Sequence, residues 1–515
     1  MQTFLQRLRL GTRIFVAVGN VAVMVAAANV PAAVVADVPV SVATPKPKAT
    51  ASPAPNRVLL SGYERNFYFA RQNASGYPKG IGQINQAAFE AALNVHAAYT
   101  LPSTPWTLGA TYVYANPLGA NGACANVSQY GPGGGCQQYP KTVNTYKATD
   151  TTLPGFPIAT LAEAYVQYKT HLFNVKVGDQ LFTTPWANPS DTRVKPAYYQ
   201  GIDAHYTFAP GWSVGVSRIM AWESRSASDF NESTLITLNA NGTFNPTPGF
   251  LLGNVTYTRG TNVSADANYY EFYNIANLLW VEGKLYFYGN SPIKPYIAAH
   301  VGTENSNGTA LAGLVTASLV GLQGGANLGN NVNLTAGFDI LPVRSQTLVL
   351  PKGVTCSASS HEISGNVGYF LPTSGTPNCL RGAPGTATIY YGGIASPYTD
   401  GYTSDPSFTT SISQGLMERQ SPGDAVKLIG TYQSTNRKFK AIVSRAFYNY
   451  TNPAGSENTY ETDLDGTYFF NKVTSGPYHG LEFRDRYMER TQSNTVQFGG
   501  SPLFKANRVQ LEYDF

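Results

Sequence analysis

The chain predicts an all-β fold, a closed antiparallel transmembrane β-barrel, and three observations carry that prediction. Segments of nine to eleven residues alternate apolar with polar side chains, charge is scarce while tyrosine is abundant, and an alternating strand runs to an aromatic residue at Phe515. Each bears on a different requirement of a sheet in lipid.

Alternation comes first. In residues 89–99, Phe89, Ala91, Leu93, Val95, Ala97 and Tyr99 share one face, and Glu90, Ala92, Asn94, His96 and Ala98 the other. In residues 332–340, Val332, Leu334, Ala336, Phe338 and Ile340 oppose Asn333, Thr335, Gly337 and Asp339. Trp106, Leu108, Ala110, Tyr112 and Tyr114 oppose Thr107, Gly109 and Thr111, and Ala162, Ala164, Val166 and Tyr168 oppose Glu163, Tyr165, Gln167 and Lys169. Successive strand residues point to opposite faces. Strands of this length, apolar on one side throughout, are long enough to cross hydrocarbon when tilted. In lipid every backbone N–H and C=O must be paired internally, so the sheet has to close on itself. The small and polar inward residues imply a wet lumen.

Composition agrees. Charged residues make up 13% of 515, against 12% aromatic, with 34 tyrosines and 5 tryptophans. Soluble proteins carry about a quarter charged residues. A barrel needs charge only in its lumen and loops, and places Tyr at the two membrane interfaces.

Export is read from the first segment. Arg7, Arg9 and Arg13 precede an apolar run at residues 14–28, and small residues follow, so 1–36 reads as a secretory signal peptide. Residues 37–56, rich in Pro, Ala, Thr and Lys, read as a flexible leader, and 57–515 as the barrel. Without 1–36 the formal charge falls from +5 to +2, since three arginines leave and no acid does. That balance gives no support for nucleic-acid binding. The four cysteines form two local pairs, Cys124 with Cys136 and Cys356 with Cys379, each bracketing a Gly- or Ser-rich stretch. In an exported chain they read as disulfides closing two long loops. Metal ligation is the alternative, but neither pair has C-x₂-C spacing.

At the other end Val509, Leu511, Tyr513 and Phe515 alternate with Arg508, Gln510, Glu512 and Asp514. A strand ending on Phe515 is the form that the outer-membrane barrel assembly machinery is thought to read, which makes that machinery an expected partner and the outer membrane of a diderm bacterium the expected location.

Several stretches resemble the OprD family of substrate-selective porins. They run Val177-Gly178-Asp179-Gln180, Thr184-Pro185, Asp191-Thr192-Arg193-Val194-Lys195-Pro196, Gly201 and Ser217-Arg218. Residues 62–69 (Gly-Tyr-Glu-Arg-Asn-Phe-Tyr-Phe) and 480–487 (Gly-Leu-Glu-Phe-Arg-Asp-Arg-Tyr) are similar too. Residues 235–400 match only in texture, and the leader and the cysteine-bracketed loops depart from the family. The resemblance implies about 18 strands, a monomer, long extracellular loops partly folded into the lumen, and a ladder of arginines guiding carboxylate-bearing solutes such as amino acids, peptides or organic acids.

Candidate solute-binding residues follow from that ladder. Arg193, beside Asp191, offers a carboxylate planar bidentate donors; the alternative is that the two pair to hold a turn. Arg484 and Arg486, two apart, share a face opposite Leu481 and Phe483, which leaves Asp485 on the apolar side. Arg508 has the lumen phase, and pairing of the first and last strands would bring Arg65 or Glu64 near it. Asp339, Glu163, Asp463 and Asp465 are candidate counter-charges. Each of these could equally belong to a solvated wall whose charges pair among themselves.

Other chemistry finds little footing. Gly211-Trp212-Ser213-Val214-Gly215 matches G-x-S-x-G, but a nucleophile elbow needs a strand, a turn and a helix, and here the serine sits in an alternating strand. The six histidines show no metal spacing, and residues 131–135 form a Gly-rich loop tip, not a phosphate cradle. The expected function is passive, partly selective diffusion of small hydrophilic solutes, without cofactor or metal. The alternatives are an outer-membrane barrel enzyme of lipase or protease type and a loop-mediated adhesin.

Overall fold

The computed structural model describes residues 58–74, 84–118, 157–190, 193–235, 247–287, 293–308, 315–349, 386–399, 402, 408–410, 416, 422–452, 455–470, 480–492 and 503–515. The segments 1–36 and 37–56, Asp191 and all four cysteines lie outside them. Among the described residues the strands are β1 (Val58–Ala74), β2 (Ile84–Thr100), β3 (Trp106–Pro117), β4 (Ile158–Lys169), β5 (Phe173–Gln180), β6 (Tyr198–Ala209) and β7 (Trp212–Glu223). Then come β8 (Phe250–Arg259), β9 (Val263–Phe272), β10 (Ala276–Tyr286), β11 (Ile293–Ser306), β12 (Thr316–Leu328) and β13 (Val332–Leu341). The rest are β14 (Arg344–Val349), β15 (Thr386–Tyr391), β16 (Gly423–Gln433), β17 (Phe439–Asn452), β18 (Gly455–Phe469), β19 (Leu481–Gln492) and β20 (Leu503–Asp514).

Eighteen of these form one antiparallel sheet, and β14 pairs only with β15. Each wall strand pairs with its neighbours in sequence, and the ring shuts where β1 meets β20, from Tyr63↔Asp514 to Gln72↔Lys505. Closure leaves no strand edge, which satisfies the backbone in a medium without water. The expected barrel and strand number are therefore observed.

Apolar residues face outward as the alternation requires. Leu322, Leu334 and Leu428 are each more than half exposed, while Thr335, Gln323 and Lys427 on the same strands point in and are buried. An outer surface this apolar is stable only against lipid. Around the short-turn end, Trp106 packs edge-on against Tyr168 at 4.9 Å, Tyr168 meets Phe173 at 6.2 Å, and Trp212 meets Tyr257 at 4.5 Å. These rings form an interfacial belt. Leu322 lies in mid-strand, so Leu322→Arg is expected to destabilise the barrel by about 2–4 kcal/mol. A urea refolding titration in lipid vesicles would read that shift.

Two expectations need correction. The period of β4 slips at Ala162, which points inward and is buried with Val113 and Tyr198 instead of facing out. Opposite it the register jumps between Thr111↔Glu163 and Tyr112↔Leu161, a β-bulge that puts Ala162 and Glu163 on the same side. Nor is the lumen uniformly wet. Near the loop end of β7 to β13 the inner wall carries Phe250, Leu252, Tyr270, Phe272, Trp280 and Leu319, all buried in one apolar cluster. They seat connections that fold into the barrel: Phe182 and Trp186 after β5, and Ile394, Tyr398, Tyr402 and Phe408 between β13 and β16. A chain segment laid inside a barrel needs apolar wall to pack against, so the wall there cannot be polar throughout.

Candidate functional site

The connection between β5 and β6 turns inward through local polar contacts. Thr184 closes a turn onto Ala187 (N to O 2.8 Å, Oγ1 to O 2.9 Å), and Asn188 Oδ1 accepts the Ser190 N–H at 3.0 Å. Ser190 sits at φ 48°, a left-handed conformation that a short polar residue tolerates in such a turn. The connection is then tied to other parts of the wall. Tyr199 Oη lies 2.8 Å from Asn188 O and 2.7 Å from Tyr398 O, so its single O–H is shared between two inward segments. Two residues after Arg193, Lys195 Nζ reaches Glu223 Oε1 at 2.6 Å and Ser224 O at 2.7 Å; both ionic side chains are fully buried. Glu223 Oε2 also accepts from Thr160 at 2.7 Å.

This scaffold brings Arg193 to the arginines of the strands. Arg65 Nη1 donates to Arg193 O at 2.8 Å, and Arg65 also pairs with Glu512 across the β1–β20 seam. The Arg193 and Arg508 guanidiniums lie 4.8 and 5.2 Å from the centroid of the Phe69 ring, an arrangement in which the ring quadrupole attracts each cation. Arg486 stands opposite Arg508 in the β19–β20 register. Arg484 grips Asp465 bidentately (2.9 and 2.7 Å), and Arg486 Nε approaches the same carboxylate at 3.1 Å. One carboxylate thus serves two guanidiniums, so this part of the wall keeps positive charge. Arg65, Arg193, Arg486 and Arg508 are each less than a tenth exposed.

The structure therefore brings together five of the arginines read from the sequence and separates them from Asp339. Asp339 is buried, 2.5 Å from His300 Nε2, and accepts from the Thr409 N–H at 3.1 Å. Asp463 takes Lys427 at 3.0 Å and Ser444 at 2.7 Å, and Glu163 pairs with Lys176 at 3.2 Å. Glu64 and Asp485 face outward and are exposed. Ser213 lies in β7 with its hydroxyl on Tyr206 O, far from the geometry of a nucleophile elbow.

Sequence reading passed over two features. Lys195 and Glu223 are 28 positions apart, and nothing local marks either as half of a buried pair. Tyr398 and Tyr402 anchor the connection between β13 and β16, Tyr398 through Thr247 (2.8 Å) and Tyr402 through Glu282. Burial raises the Tyr398 phenol to about 12, and burial together with the Glu282 carboxylate raises Tyr402, so both keep their protons at neutral pH.

A barrel of 18 strands, constricted from one end by connections that carry an arginine and aromatic rings, has counterparts among solved structures. OpdK of Pseudomonas aeruginosa, solved with vanillate, superposes with a TM-score of 0.62 at 13% identity, over 89% of this chain and 98% of that one. This is the OprD-like porin fold. A BenF-like porin from Pseudomonas fluorescens Pf-5 shares it (TM-score 0.61, 12% identity, 89% and 98% covered). OccK2 of Pseudomonas aeruginosa, solved in complex with glucuronate, does too (TM-score 0.59, 11% identity, 89% and 98% covered). No protein-family model and no curated protein sequence matches the chain. In this OprD-like barrel the described residues contain no cluster of three or more His, Cys, Asp or Glu that could hold a metal ion.

Proposed function

We propose that the chain is an outer-membrane porin through which small hydrophilic solutes diffuse passively, with preference for those bearing a carboxylate. The observation that carries this reading is the placement of Arg193 and Arg508 about Phe69, with Arg65 on the Arg193 carbonyl, next to two guanidiniums sharing Asp465. Selectivity in a pore comes from rings and ladders of charge at a narrow place. Guanidinium groups suit carboxylates because their donors are planar and paired. The buried Phe69 ring between two of these cations holds their guanidiniums side by side. Vanillate and glucuronate, the ligands of two solved structures with this fold, are both carboxylates.

In this reading Arg193, Arg484, Arg486 and Arg508 bind the solute in passing, with Asp191 beside Arg193. Asp339 holds the inward connection instead of the solute. The porin carries out no catalytic step and uses no cofactor. Residues 1–36 direct export, 37–56 form a leader, Cys124–Cys136 and Cys356–Cys379 are disulfides, and the strand ending at Phe515 is recognised during assembly. The porin works as a monomer.

Single-channel recording of the refolded protein in a planar bilayer tests the proposal. Discrete conductance steps, reduced in a concentration-dependent way by benzoate or glucuronate and not by the matching neutral alcohols, are expected. A folded barrel that passes no current would discard the pore and bring the enzyme and adhesin alternatives forward.

A further inference from the structure

Four adjacent wall strands hold an inward-facing row in register. Glu282 on β10 stands opposite His300 on β11, His300 opposite Gly321 on β12, and Gly321 opposite Asp339 on β13. Gly321 has no side chain, and through the gap His300 Nε2 reaches Asp339 Oδ1 at 2.5 Å, passing over an entire strand. A Cβ at Gly321 would fall between these two atoms, closer to each than real Cβ atoms come. The glycine is what lets the bridge form.

The connection between β13 and β16 lies across this row. Tyr402 Oη donates to Glu282, and Phe408 stacks on the His300 ring with centroids 3.8 Å apart and planes 25° apart. Thr409 donates its N–H (3.1 Å) and its hydroxyl to Asp339 Oδ2, while Thr409 O accepts from Tyr448 Oη at 2.7 Å. Further along β11, four residues past His300, Glu304 Oε2 accepts the Ala395 N–H at 2.7 Å. Three wall carboxylates therefore each take a donor from the same connection. The histidine between two of them orients Asp339 and gives Phe408 a flat seat.

From this the geometry points to a latch. Glu282, His300 and Asp339, aligned by the missing side chain of Gly321, fix residues 402 and 408–410, all buried, against the inner wall, where they fill part of the lumen and so limit its bore. His300 and Gly321 are positioning residues that act through Asp339 and Phe408, and no solute needs to touch either. A buried acceptor that loses its donors costs more than the bond was worth, so disturbing the row should release the segment and not merely shift it. The consequence for conduction rests on the pore reading above; the docking of the segment does not.

The test compares Gly321→Ala with Gly324→Ala, on the same strand, where an added Cβ meets no atom within 4 Å. Both are refolded, and the heat-modifiable electrophoretic shift of closed barrels confirms that they fold. Two readouts follow: single-channel current, and chymotrypsin cleavage after Tyr402 or Phe408 identified by fragment mass. Gly321→Ala should show a larger conductance with a flickering open level and faster cleavage at these sites, and Gly324→Ala should match the unsubstituted protein in both. If Gly321→Ala does not fold, Thr409→Val carries the same comparison, since it removes one donor to Asp339 and leaves the wall intact. A folded Gly321→Ala, or in its place Thr409→Val, with unchanged cleavage overturns the latch. Faster cleavage in a protein that carries no current upholds the latch and removes the pore.

Discussion

Carboxylate block of the single-channel current should weaken about 100-fold when Arg486 and Arg508 are both replaced by glutamine, taking each hydrogen bond to a charged group as about 1.5–3 kcal/mol and allowing for incomplete additivity. The two side chains face each other across β19 and β20, so a carboxylate held between them loses both of its charged donors. Fold is not the reason to expect the loss, because Arg484 retains its bidentate grip on Asp465 after Arg486 is gone. The comparison that isolates the effect is Arg445→Gln. Arg445 lies on the exposed outer face of β17 against Thr462, and its loss should leave block unchanged. Equal weakening in both variants would mean that net charge, and not the position of the ladder, governs selectivity. Raising the salt concentration should also weaken block, but less than for a surface site, since the guanidiniums are shielded from solvent.

Glu223→Ala is expected to have the largest effect on stability, because it takes the paired carboxylate away from the Lys195 ammonium, which is fully buried. Breaking one side of a buried ion pair typically costs about 3–5 kcal/mol. Much of that cost would fall on the connection between β5 and β6, which should loosen as Lys195 seeks water and carry Arg193 away from Phe69. Protease accessibility of residues 181–197 should therefore rise, and carboxylate block should fall without any change to the arginines themselves. The double variant Glu223→Leu with Lys195→Met restores packing without charge. It should recover most of the stability, measured as the urea midpoint for loss of the heat-modifiable folded form. If Glu223→Ala and the double variant unfold alike, the ion pair is not what holds the connection in place.

Much of the barrel was legible because its governing constraint is local. Lipid outside forces every second residue of a strand to be apolar, and Leu334, Phe338 and Ile340 show this in ten residues without reference to the rest of the chain. The phase of Arg484, Arg486 and Arg508 followed from the same rule, and so did the awkward outward position of Asp485. What the rule could not give was the filling. Trp280 and Phe250 have the phase of lumen residues, but what they meet comes from connections distant in the chain, as Trp280 with Trp186 and Tyr402 shows. Asp339 illustrates the same limit. An inward acid that meets a solute and an inward acid that meets Thr409 have identical signatures in their own strands. The Ala162 bulge escaped because alanine is acceptable on either face, so the slip leaves no mark in the pattern.

The seam between β1 and β20 has a consequence for how the barrel comes to exist. Most other wall strands pair with partners a few residues away along the chain, whereas Arg65 and Glu512 meet across 447 positions. The entropy of closing so long a loop is offset only when the last pairing forms, and until then two raw strand edges stand open. In a membrane those edges have no water to bind, which favours insertion and sealing as one late event over the slow growth of a half-cylinder. The residue that fastens this join, Arg65, also donates to the Arg193 carbonyl. In the proposed pore, selectivity that depends on this clasp would not exist until the barrel is whole.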